Sequence, residues 1–164
     1  MPRDPDNTRV PASNATMDLL RQHVGIWEGD YTHIDPADRS VQESYAFRIK
    51  VECPDYGPIA YRQTSRYRWS DGRTSELVYT GIAHDDRLLI DDGRIRGEIR
   101  AIEPQTLYMR FGFSADPGNQ VTEMIQLSRD GRHRARTWHW LRDEQLWRIT
   151  LVREQRTSRD PSDW

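Results

Sequence analysis

The sequence predicts an all-β protein, a single antiparallel up-and-down β-barrel of about 8–10 strands with a short N-terminal helix. Three observations predict it. From residue 25 onward apolar and polar residues alternate with the period of a half-buried strand. Clusters such as CPDYGP, SDG, HDD, DDG, SADPGN and RDG interrupt that alternation at short intervals. Helical periodicity is confined to the few residues before position 24.

Taken in order, Asn14 or Thr16 caps a helix that runs to about Gln22, with Leu19, Leu20 and His23 on one side. GIWEGDYTHI is the first strand. SYAFRIKVE follows, with Tyr45, Phe47, Ile49 and Val51 opposite Arg48 and Lys50. In IAYRQTSRYRW, residues Tyr61, Gln63, Ser65, Tyr67 and Trp69 share a face, and Asp71-Gly72 then makes a hairpin turn. RTSELVYTGIAH, DRLLID, RIRGEIRAI, TLYMRFGF, QVTEMIQLS, RARTWHWL and LWRITLVRE complete the meander. Sequential hairpins of this number remove their exposed edges by closing. The domain is expected over 15–156, between a polar, Pro-rich disordered tail over 1–14 and a C-terminal tail over 157–164.

Composition narrows the function. Apolar residues make up 35% and aromatic residues 10%, with six Trp and seven Tyr to anchor a core. A net charge of -2, with arginines interleaved among acids, offers no field to hold nucleic acid. Cys53 is the only cysteine, so no intramolecular disulfide or cysteine-metal cluster forms. The opening residues have no apolar leader and nothing later approaches a membrane span, so a cytoplasmic protein without a membrane partner is expected. Histidines at 23, 33, 84, 133 and 139 lack metal-ligand spacing, and neither a phosphate-binding glycine loop nor a nucleophile elbow is present. No cofactor and no metal are therefore expected.

The helix followed by Gly25-Ile26-Trp27 resembles the entry to the calycin barrels, which include lipocalins and fatty-acid-binding proteins. The blocks YRQTSRYRWSDGRTSELVYTG and RHRARTWHWLRDEQLWRITLVRE look like a small bacterial calycin-like family. The resemblance covers roughly residues 17–156. It implies that Trp27 crosses the closed end of the barrel against an arginine of the last strand, either Arg148 or Arg153. A guanidinium over an indole gains about 0.5–2 kcal/mol. The chain departs from extracellular lipocalins in having no leader and no paired cysteines.

Polar residues on otherwise apolar faces mark the candidate site. Tyr31 and His33 follow Trp27 on one face, while Glu28 and Asp30 take the other. Glu123 shares a face with Val121, Ile125 and Leu127, and His139 lies opposite Trp138 and Trp140. His33, Tyr31, His139 and Glu123 are the candidate catalytic residues for proton transfer, with Tyr61, Gln63, Tyr67, Phe111 and Arg148 as substrate-binding candidates. The expected partner is a small hydrophobic or aromatic molecule, and a homodimer is allowed by the remaining apolar faces. The leading reading is a cofactor-independent lyase, isomerase or cyclase. The alternatives are a non-catalytic carrier of a hydrophobic ligand and a barrel that binds haem through His33 or His139.

Overall fold

The computed structural model describes residues 14–164, so all of the expected N-terminal tail except Asn14 lies outside the described residues. Asn14 caps helix α1 (Ala15–Gln22), its Oδ1 accepting from the backbone N–H groups of Thr16 at 3.0 Å and Met17 at 3.3 Å. Thr16 does a different job from the capping role open to it. Its hydroxyl donates to the Asp86 carbonyl and accepts from the Ala101 N–H, fixing the helix to the sheet.

The predicted strands all form. They are β1 (Gly25–Ile34), β2 (Val41–Glu52), β3 (Tyr61–Arg68), β4 (Thr74–His84) and β5 (Arg87–Asp91), then β6 (Ile95–Glu103), β7 (Thr106–Phe113), β8 (Asp116–Leu127), β9 (His133–Arg142) and β10 (Gln145–Ser158). Each pairs antiparallel with its sequence neighbour, and β10 returns to β1 to close the barrel. β10 continues to Ser158, inside the stretch expected as a C-terminal tail, and Arg156 extends its inward face of Thr150, Val152 and Glu154. Residues 161 to 163 then form a 3-10 turn, which places Trp164 beside Arg48, Lys50 and Arg66 at 5.4, 5.5 and 4.3 Å.

Closure brings β1 and β10 very near each other at Gly29. A Cβ there would stand 1.9 Å from the Arg153 carbonyl oxygen, so the position takes no side chain without moving the strands apart. The closure has one loose seam. β4 pairs with β3 from Thr74 to Gly81 but with β5 only from Gly81 to His84, leaving residues 74 to 80 unpaired on the β5 side. Leu77, although it lines the interior, is therefore 39% exposed.

The interior divides into two ends. At the α1 end, Met17, Leu20, Trp27 and Val51 belong to a fully enclosed apolar cluster. Toward the other end the packing gives way to a cavity. Among the described residues no helix is long and apolar enough to cross a membrane.

Candidate functional site

The cavity has a volume of about 340 Å³ and is walled by the inward faces of most strands. A larger groove of about 740 Å³ runs over the outside, beside charged residues Arg48, Arg66, Arg68 and Glu76. The interior cavity is the candidate site because aromatic walls and buried polar groups converge there.

Its deep end is built around Tyr31, which is 1% exposed. The Tyr31 ring lies 4.7 Å from Phe47, 5.4 Å from Tyr45, 5.7 Å from Tyr67 and 5.4 Å from Trp138, measured between centroids. Its hydroxyl accepts a 2.7 Å bond from Arg136, which also donates to Glu123 at 3.1 Å and Glu154 at 3.2 Å. Arg134 grips the same Glu154 with two N–H groups and contacts His23 Nδ1 at 3.2 Å. Two buried cations thus balance two buried carboxylates, as buried charge requires. The side wall carries a second polar group. Tyr61 and Tyr79 both donate to Gln63 Oε1, and Gln63 donates to Ser65.

The mouth lies at the opposite end of the strands from α1. His33 Nδ1 contacts Thr150 Oγ1 at 2.7 Å, and its Nε2 contacts the Tyr45 hydroxyl at 3.0 Å. Thr150 also accepts from the Trp140 indole at 2.8 Å, while Trp69 donates to Glu43 at 2.9 Å. Trp140 stacks on Phe113 with an interplanar angle of 7°. Arg94 and Arg148 complete the lining of this end.

Electrostatics distinguish these groups. Burial, helped by the Arg148 charge and opposed by Glu43, lowers the His33 pKa to about 4. Burial pushes the Tyr61 hydroxyl up to about 12 and holds Tyr31 and Tyr79 well above the usual phenol range. Burial also raises the Glu123 carboxyl, against the opposing pull of Arg136 and Trp138. The buried Trp138 N–H acts on Glu123 without completing a hydrogen bond.

The His33 shift has a stability consequence. A histidine whose folded pKa lies below its unfolded 6.5 takes up a proton on unfolding, so stability falls as pH drops from 6.5 toward about 4. His23, lowered chiefly by burial and then by Arg134, acts in the same direction. Each contributes a slope of at most about 1.4 kcal/mol per pH unit, reduced for His33 by solvent screening at the mouth. Urea midpoints measured between pH 7.5 and 5 are expected to fall, and His33→Gln to flatten the dependence. An equally steep profile in the variant would contradict this assignment.

The structure brings Tyr31, His33, Tyr61, Gln63, Tyr67, Phe111, Glu123 and Arg148 onto the inward faces. His139 needs correction. Trp138 and Trp140 point in, so the alternation sends His139 to the exposed outer face. The Trp27 partners also differ from both expected arginines. Arg134 and Arg156 each lie over the indole at 4.5 Å, whereas Arg148 lies near Trp140 and Trp147, and Arg153 is exposed. Arg136, Tyr45 and Trp140 are site residues that the sequence reading misses. The run Arg134, Arg136, Trp138, Trp140 on one β9 face carries the signal, since inward indoles take those arginines inward with them.

The donor set does not suit a metal-bound cofactor. His33 has both ring nitrogens engaged, His139 faces outward, and among the described residues no three His, Cys, Asp or Glu side chains cluster to hold an ion. Haem ligation by either expected histidine does not fit these positions.

No protein-family model matches the chain, and no curated protein matches it in sequence. Solved structures do match. An S-type phycobiliprotein lyase, CPES from Guillardia theta, superposes with a TM-score of 0.67 at 14% identity, covering 85% of this chain and 90% of that one. A DUF3598-family protein of unknown function from Nostoc punctiforme gives 0.63 at 18% identity over 84% of this chain. The match spans only 49% of the Nostoc protein, about half its length. Rv2717c from M. tuberculosis gives 0.59 at 12% identity over 90% of this chain and 99% of its own. At these identities the likeness is one of fold: a closed, ten-stranded antiparallel β-barrel, consistent with the calycin-like resemblance of the sequence.

Proposed function

We propose that the barrel binds one small planar, conjugated molecule in its cavity, with the interior polar groups orienting the ligand. The carrying observation is a cavity of about 340 Å³, open at one end, between aromatic rings, with the ionisable groups Arg136, Glu123 and Glu154 at its deep end paired with one another. Flat apolar ligands gain most from such walls, through area removed from water and ring stacking. Pairing matters here because it lets Glu123 and Arg136 remain buried without a ligand.

The acid/base enzyme expected from sequence is the second reading. Two observations favour it: His33 and Tyr45 form a hydrogen-bonded pair at the mouth, and the Guillardia theta neighbour is named a lyase. Against it, His139 is absent from the site and Glu123 is committed to Arg136. A histidine with a pKa near 4 is also a weak base at neutral pH.

Quenching of tryptophan fluorescence by a panel of planar aromatic compounds tests the proposal. One-site binding is expected, weakened about tenfold or more by Trp138→Leu, with unchanged far-UV circular dichroism. The recovered compound should be chemically intact; conversion that requires His33 would move the assignment to the enzyme. Absence of binding across the panel, or binding indifferent to Trp138, would sink the cavity reading.

A further inference from the structure

The charges along the cavity are unevenly compensated. At the deep end Arg136 is matched by Glu123 and Glu154. At the mouth, Arg148 is half-buried, and its Nε donates only to a neutral amide, Gln42 Oε1, at 3.0 Å. Its guanidinium lies 5.9 Å from the Trp140 ring and 4.7 Å from Trp147, held by stacking rather than by an acid. Among the described residues no carboxylate makes an ion pair with it. Arg94, the second cation lining this end, has Asp92 at 3.6 Å. Glu43 is the acid at the mouth, and its carboxylate is engaged by the Trp69 indole.

A cation in a partly desolvated rim without an acid is costly unless something compensates it on demand. Arg148 also stands next to the neutral His33, whose imidazole it helps keep from protonating. The mouth therefore holds one guanidinium without an ion-pair partner, while the floor has its cations and carboxylates paired. From this placement we infer that the ligand is an organic anion: its planar body enters the aromatic cavity, and its carboxylate or sulfonate stays at the mouth on Arg148. The body would then lie between Trp140 and Tyr67, with the acid group within reach of the guanidinium fork. This inference rests on the cavity-binding reading and adds a ligand class to it.

A matched pair of fluorescent probes separates the two ideas. Anilinonaphthalene sulfonate and its desulfonated parent, phenylnaphthylamine, share one aromatic body and differ in the anion. Wild-type protein should bind both at a single competing site. Arg148→Gln should weaken the sulfonate about 10- to 100-fold, as expected for loss of a charge-assisted hydrogen bond, and change the neutral probe less than about twofold. Arg148→Lys, which keeps the charge without the fork, should fall between. Retained phenylnaphthylamine binding also shows that the variants are folded. If both probes bind but Arg148→Gln leaves their ratio unchanged, the anion assignment is overturned and the cavity reading survives. If neither probe binds the wild type, both fall.

Discussion

Glu154→Ala is expected to lower the unfolding free energy by roughly 3–5 kcal/mol, the cost of removing one partner from a buried ion pair. Glu154 is 2% exposed and accepts from both Arg134 and Arg136. Burial alone would raise its carboxyl pKa, but the two arginines outweigh burial and hold it below the usual carboxylate range. Removing it leaves two guanidinium groups inside the barrel with only Glu123 between them. Urea denaturation reads the loss directly, and a change under about 1 kcal/mol would show that water or rearrangement relieves the charges.

Two companion results identify the cause. Replacing Arg134 together with Glu154 by Met and Leu should recover much of the loss, because an apolar pair of similar volume carries no unpaired charge. The pH dependence should change as well. A carboxyl with a depressed folded pKa stabilises the protein above its unfolded value near 4.5, and that contribution disappears as pH falls through the folded pKa. The alanine variant loses this acid-linked contribution, so its stability should vary less below pH 4.5 than that of the wild type. Planar ligands should bind it more weakly, since Arg136 positions both Tyr31 and Glu123 in the cavity wall.

How far the sequence reveals this arrangement depends on which physical rule a residue obeys. Every strand was legible because alternation has period two and the turns carry their own chemistry, as at Asp71-Gly72. Tyr31, His33, Gln63 and Glu123 could be placed because each shares a face with large apolar residues. His139 could not be placed from its own strand without choosing between two mixed faces. Trp138 and Trp140 decide that choice, but only once the arginines beside them are accepted as interior. Arg134 and Arg136 break the rule that charge stays outside, and their compensation by Glu123 and Glu154 comes from neighbouring strands. Pairings across strands depend on register, which no single segment displays.

The other large effect is expected at the barrel floor. Trp27→Ala should cost about 3–5 kcal/mol, the usual range for deleting a large buried aromatic side chain. Trp27 is fully buried, and its indole N–H donates to the His23 carbonyl at 2.8 Å, tying the end of α1 to β1. Arg134 and Arg156 lie over its ring from β9 and β10, so the one side chain joins the helix to three strands across the closure. Truncation opens a cavity and leaves the His23 carbonyl without this donor. It also strips two cations of an aromatic face; burial already depresses the Arg156 pKa to about 10. Trp27→Phe separates these contributions, keeping a ring for the arginines while losing the bond to His23, and should cost roughly 1–2 kcal/mol. Chemical denaturation of the two variants measures the difference. Equal losses would mean that the indole N–H, rather than the stacked ring, holds the closed end together.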